Sequence, residues 1–145
     1  MARSSTYLNF MGKTEEAFQF YRSIFRTEFD GPIMYMRDVP GDPSAPTLSE
    51  HEQGMVMHVS LPITGEHRLM GTDALESRGH TLTFGNNISI NLEPDTRAET
   101  ERLFAALSEG ATDIMPLQDM FWGDLFGALT DRYGVMWMFN GPTKD

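Results

Sequence analysis

The sequence predicts an α+β fold in which two tandem βαβββ modules form curved mixed sheets around a cavity. Three observations lead there. Two amphipathic segments carry helix-capping patterns, strand patterns surround each of them in the same order, and residue types recur at equivalent places in the two halves. Neither half could easily bury a four-stranded sheet alone. Two together can, with the helices outside and the sheets facing inward. The repeat is too long for a solenoid and suits a duplicated half-domain. The expectation is one domain over residues 1–145, with module one at about 1–75 and module two at about 86–141.

In the first module a strand is expected at Tyr7–Phe10 and a helix over about Thr14 to Phe25. Ala17, Phe20, Tyr21 and Ile24 recur at spacings of three and four and form one apolar stripe. Thr14 is placed to cap the helix, and Glu15 and Glu16 suit the positive end of its dipole. Strands follow at Glu28–Tyr35, Met55–Leu61 and Arg68–Thr72. Alternation sets Met55, Met57, Val59 and Leu61 on one face of the second of these, and Val56, His58 and Ser60 on the other. Arg37–Gly54 carries Pro40, Gly41, Pro43 and Pro46 and reads as a loop; a loop of this length is functional or mobile. Leu75–Gly85 reads as the linker between the halves.

The second module repeats the order. Its strands are expected at Asn87–Glu93, Asp113–Leu117, Phe126–Thr130 and Val135–Asn140. Ile88, Ile90 and Leu92 share one face, as do Val135, Trp137 and Phe139. Its helix covers about Asp95 to Glu109. Thr96 and Glu99 make a capping-box pattern, Gly110 is a C-terminal stop, and Thr100, Leu103, Phe104 and Leu107 face inward. Asp131–Gly134 reads as a hairpin turn. Glu15 and Phe20 match Glu99 and Phe104 in separation, His58 precedes Leu61 as Phe126 precedes Leu129, and Gly65 and Gly134 open the last strand of each half.

Composition narrows the functional classes. A net charge of −10 argues against nucleic-acid backbones and anionic membrane surfaces, and its plain meaning is solubility. No cysteine is present, so disulfides, thiolate nucleophiles and thiolate metal sites are excluded. No apolar run approaches the roughly 20 residues needed to span a bilayer, and MARSSTYLNF holds no apolar signal core. A cytoplasmic protein is expected. The 11 methionines fill ordinary core space or shape an adaptable apolar pocket.

The runs TYLNFMGKTEEAFQFYRSIF, MHVSLPITGEHRLMGTDA, NNISINLEPDTRAETERLFAALSEGA and MPLQDMFWGDLFGALTDRYGVMWMFN resemble PhnB-like proteins of the glyoxalase/bleomycin-resistance/dioxygenase (vicinal oxygen chelate) superfamily. The resemblance covers nearly the whole chain, and the last run is the most specific. Two departures stand out. Arg26-Thr27 stands where such proteins often have a glycine pair, and Arg132-Tyr133 where Asp-Pro often begins the last turn.

The resemblance implies the glyoxalase/bleomycin-resistance/dihydroxybiphenyl dioxygenase-like fold. It also implies a homodimer, since the superfamily often pairs modules across chains and sheet edges invite pairing. Metalloenzymes of the superfamily place His, Gln or Glu ligands on inward strands, suited to a divalent ion that activates substrate oxygens. By alignment those slots fall near Thr6, Leu69, Ile88 and Met138. Leu69 and Met138 are poor ligands for a hard ion, and Val135–Asn140 contains no carboxylate or imidazole. No metal and no cofactor are therefore expected, and an apolar pocket takes the metal's place. Some members carry a demethylubiquinone methyltransferase label. The chain has no glycine-rich nucleotide loop and no alternating βα pattern, so methyl transfer is not expected of it.

The candidate ligand-binding residues are His58, Asp73, Asp119, Trp122, Phe126 and Met138. His58 lies mid-strand among apolar neighbours, as a general base or as a histidine satisfied within the sheet. Asp73 ends a strand, at a cavity mouth or in a plain turn. Asp119, Trp122, Asp124 and Phe126 cluster in QDMFWGDLF, where aromatic rings can stack on a flat ligand or cover the sheet as a structural lid. His51 and His80 fall in loops, no HExxH or GxSxG occurs, and no catalytic residue is assigned. The expected function is a metal-free small-molecule-binding protein. Its rivals are a lyase, isomerase or oxygenase of the same superfamily and a mainly structural role through a dimer surface.

Overall fold

The computed structural model describes residues 1–144. The chain divides into two compact units, residues 1–83 and residues 84 onward. The first contains β1 (Thr6–Phe10), α1 (Thr14–Phe25), β2 (Met34–Tyr35), the short helix α2 (Glu50–Gln53), β3 (Val56–Pro62) and β4 (Arg68–Asp73). The second contains β5 (Ile90–Leu92), α3 (Arg97–Leu107), β6 (Thr112–Asp119), β7 (Asp124–Thr130) and β8 (Met136–Pro142). The sheet orders are β1-β4-β3-β2 and β5-β8-β7-β6, so both units have the same topology. In each, the first and last strands pair in parallel and the other pairs are antiparallel. Each sheet has one long helix on one face and is open on the other.

In α1, Thr14, Ala17, Phe18, Tyr21 and Ile24 are buried. Phe18, rather than the expected Phe20, therefore enters the core. It does so at Gly71 of β4, where an added Cβ would stand 2.5 Å from the Phe18 ring. The second unit brings helix and sheet equally close: Gly141 lies against Thr100, and Gly127 against Phe104, whose ring meets Phe139 edge-on at 5.2 Å. Arg26 ends α1 in the left-handed conformation at φ 56. Thr96 caps α3 as expected, its hydroxyl accepting from Glu99 N at 3.1 Å.

Several local features differ from the sequence reading. β2 is only Met34–Tyr35, because Asp30-Gly31-Pro32 breaks the run and Gly31 takes φ 146. Within the expected loop, Ser49 Oγ accepts from Glu52 N and caps the helical turn Glu50–Gln53. In β3 the pairing passes from Met34↔His58 to Tyr35↔Val56, so β3 bulges at Met57. Val56 therefore joins Val59 and Leu61 in the core, and Met57 leaves their face and is 40% exposed. On β5, Ile88 lies outside the strand and is exposed.

Thr14 is not the cap of α1 but its first residue. The capping is done by Asp73, at the end of β4 and 4% exposed. Its Oδ1 accepts from Gly12 N at 2.8 Å, Thr14 N at 3.2 Å and Thr14 Oγ1 at 2.7 Å, and its Oδ2 from Val56 N at 2.9 Å. An anion at a helix N-terminus is also favoured by the dipole. Asp73→Ala should lower the unfolding free energy by about 3 kcal/mol, since several buried donors lose their acceptor at about 1–3 kcal/mol each. Urea unfolding of the variant with an unchanged m-value would check this, and a loss below about 1 kcal/mol would contradict it.

Candidate functional site

The open face of the first unit's sheet carries the richest set of polar side chains. Alternation turns Leu69, Gly71 and Asp73 of β4 toward α1, which leaves Arg68 and Met70 on the other side with His58 and Ser60 of β3 and Tyr7 of β1. The Tyr7 hydroxyl lies 2.9 Å from His58 Nδ1, with the ring centroids 5.8 Å apart. Desolvation raises the Tyr7 pKa, so the phenol stays protonated and can donate to Nδ1. A ring so engaged carries its proton on Nε2.

Beside this pair Asp30 accepts from Ser60 Oγ at 2.6 Å, and from Arg68 Nε and Nη2 at 3.0 and 3.1 Å in a two-pronged contact. The Ser60 hydroxyl, then the Arg68 guanidinium, hold the Asp30 carboxyl below its usual range. A hollow of about 340 Å³ opens here, walled by Arg3, Asp30, His58, Ser60, Arg68 and Met70. Its size falls within the range of small-molecule sites, about 300–1,000 Å³.

The second unit's open face has a different chemistry. Phe126 of β7 and Met138 of β8 lie on it, beside Asn140, whose amide donates to Asn91 Oδ1 at 2.7 Å. The β6–β7 turn closes with Gly123 N donating to Met120 O at 3.0 Å, with Gly123 at φ 100. This turn sets Trp122 edge-on to Phe126 at 6.1 Å and to Phe121 at 4.9 Å.

Of the six sequence candidates, Trp122, Phe126 and Met138 thus fall on one face of the second unit, and His58 on the open face of the first. Asp73 does not: paired with Phe10 in register, it turns toward α1, and its carboxylate is taken up by backbone and Thr14. Asp119 pairs with Leu125 on the covered side of its sheet, and its carboxylate binds Arg97 of α3 at 2.7 Å. Tyr7, Asp30 and Arg68 were missed. Alternation within Thr6–Phe10 was the available signal for Tyr7, whereas the Asp30–Arg68 contact joins distant positions and leaves no local trace.

The side chains at the expected metal slots do not fit a divalent ion. Thr6 and Leu69 are register partners on the helix-covered side, Leu69 is wholly buried, and the Thr6 hydroxyl meets His67 Nε2 at 2.8 Å. The slot register misses the open face by one residue; the open-face partners are Tyr7 and Met70. Ile88 offers no donor and Met138 only a thioether. Among the described residues no group of three or more His, Asp or Glu side chains could hold a metal ion.

Residues 2–139 match the model of the family described as 3-demethylubiquinone-9 3-methyltransferase. The chain belongs to this family. It is similar to solved structures: protein PA1353 of Pseudomonas aeruginosa is 32% identical, with all of both chains covered and a TM-score of 0.81. A PhnB protein of Bacillus cereus is 30% identical, with 97% of this chain and 99% of the other covered and a TM-score of 0.73. YjdN of Escherichia coli is 26% identical over 141 residues, 94% of this chain and 92% of its own. A glyoxylase/bleomycin resistance protein/dioxygenase domain from Frankia, 11% identical at a TM-score of 0.65, covers 98% of this chain and 92% of its own and shares the fold alone. The PhnB-like chain therefore has the glyoxalase/bleomycin-resistance fold read from its sequence.

The depressed Asp30 pKa sets a sign for pH dependence. Its contacts with Ser60 and Arg68 stabilise the fold above the ordinary carboxylate pKa and are lost as pH falls through the lowered one. Both side chains of the ion pair are partly exposed, so the stake is about 0.2–1 kcal/mol and shrinks in high salt. The stability gap between wild type and Asp30→Asn should be present at neutral pH and close below about pH 4; a gap that widens in acid would contradict the assignment.

Proposed function

We propose that this PhnB-like protein binds a small organic molecule without a bound metal, on the open face around His58. The observation that carries this reading is the hollow of about 340 Å³ beside His58, Ser60 and the Asp30–Arg68 pair. It combines directional polar groups with the apolar wall of Met70, the pattern expected of a ligand site. On the open face the register partners Tyr7 and Met70 offer a protonated phenol and a thioether in place of imidazole or carboxylate, which supports binding without a metal. The rings of Trp122 and Phe126 supply a separate stacking surface on the second unit.

Methyl transfer, the activity in the family's description, draws no support from the chain's residues. Among the described residues no glycine-rich turn joins a strand to a helix, and neither sheet is doubly wound. A second reading, a lyase or isomerase, is favoured by one observation, the Tyr7–His58 contact on the open face. An imidazole bonded to a phenol can take up and return a proton.

Native mass spectrometry of freshly purified protein should show an organic adduct and no stoichiometric divalent metal. Calorimetry with that molecule should then give an affinity that falls about tenfold or more in His58→Ala, the loss of one hydrogen bond. One zinc, nickel, iron or manganese per chain, retained through dialysis, would overturn the metal-free reading, and chemical conversion of the molecule would select the lyase or isomerase.

We also propose a homodimer. β6 is an edge strand exposed along nearly its whole length, with Ile114 and Met115 among the exposed apolar side chains, and such an edge invites pairing or cover. Light scattering at micromolar concentration should give twice the chain mass of 16.4 kDa; a monomer mass would count against it.

A further inference from the structure

The connection between β2 and β3 is long, yet it is held at several points. Tyr35 N donates to Asp38 Oδ2 at 2.9 Å, and Ser44 donates to Asp42 Oδ1 through its amide at 2.9 Å and its hydroxyl at 2.7 Å. Gln53 Nε2 donates to Leu48 O at 2.9 Å, and Arg78 Nη2 to Pro46 O at 3.0 Å. Pro40, Pro43 and Pro46 further restrict the backbone. Long connections without much regular structure are uncommon in compact units and are ordered mostly where they serve a purpose.

Under this connection lies a hollow of about 530 Å³ that shares no wall residue with the one at His58. Its apolar wall includes Met36, Val39, Leu48, Met57 and Leu75, with Arg37 and Arg78 at the same hollow. Met57 reaches it because the β3 bulge releases that side chain from the core. An organic molecule seated there would gain dispersion contacts with these apolar walls.

The charges favour one kind of molecule. The Arg37 guanidinium sits 4.5 Å from the Tyr35 ring centroid, and the Tyr35 hydroxyl donates to Glu15 Oε2 at 3.0 Å, so the cation rests on an anchored ring. Arg78 uses one donor on Pro46 O and has others left. Asp42 is the one acid on the wall, and its Oδ1 is engaged by Ser44. On the wall itself two cations stand with one acid, Asp42, which also faces Arg78, while Glu15 and Asp38 lie outside the wall, at Tyr35.

We infer that this hollow is a second ligand site, taking an apolar molecule that carries one oxyanion group, such as a carboxylate, set against Arg37 and Arg78. The test titrates 2-naphthoate and its neutral counterpart 2-naphthalenemethanol into the full ¹⁵N-labelled chain, reading backbone amide shifts. Naphthoate should shift the amides of residues 36–48 and 75–78 saturably, and the alcohol should bind the same amides about tenfold more weakly. Arg37→Gln and Arg78→Gln should each weaken naphthoate about three- to tenfold and leave the alcohol unchanged. Should Arg78→Gln disturb the connection by freeing Pro46 O, seen as shifts without ligand, Arg37→Gln decides. No saturable shift at millimolar naphthoate, equal binding of acid and alcohol, shifts confined to the surroundings of His58, or indifference to Arg37→Gln would each overturn the site.

Discussion

A single carboxylate ties the first unit together. Asp73 ends β4 and takes hydrogen bonds from the turn after β1, from the first residue of α1 and from the first residue of β3. Three stretches distant in sequence, at residues 12–14, 56 and 73, meet at one buried anion. The consequence reaches the opposite side of the sheet. With Asp73 turned toward α1, alternation fixes Arg68 and Met70 on the open face, and pairing sets Ser60 beside Met70 there. A slip of one residue would bring Leu69 to the open face and take Arg68 away from Asp30.

The second unit uses the same topology with a different polar anchor. Asp131, in the turn between β7 and β8, accepts from Tyr133 N, Val135 N and Trp137 Nε1, each within 3.0 Å. The anchor thus holds a hairpin and an indole, whereas Asp73 holds a helix start. What the units share is the intimate fit of helix on sheet at Gly71, Gly127 and Gly141, where a side chain would collide. Shared backbone geometry with separate polar solutions leaves each open face free to differ. One presents His58, Ser60 and an ion pair; the other presents Phe126 and Met138.

The fold was legible because its signals are local and periodic. α1 spans the expected Thr14–Phe25, and the eight strands appear in the expected order, since apolar spacing and turn residues record them directly. The departures come where tertiary contacts override the local pattern. Asp73 displaces Thr14 as the cap of α1, the bulge at Met57 moves Val56 into the core, and Asp30-Gly31-Pro32 shortens β2. The site was harder to read. Strand alternation places His58, Phe126 and Met138 on open faces and a turn sets Trp122 beside Phe126, whereas the carboxylates of Asp73 and Asp119 are taken up by a helix end and by Arg97, a difference that a carboxylate in a sequence does not reveal. The slots at Thr6 and Leu69 missed by one position, which in a strand means the opposite face.

The two tryptophans follow from these anchors in another way. Trp137 is fully buried with its indole N–H bonded to Asp131, whereas Trp122 is 49% exposed on a turn between two phenylalanine rings. The chain therefore carries two indole fluorophores in opposite surroundings, both in its second unit. One emits from a dry, hydrogen-bonded interior and reports whether that unit is folded. The other stands at a half-wet aromatic edge, where its emission follows the solvent, so the folded interior and the exposed edge have separate optical readouts within one unlabelled chain.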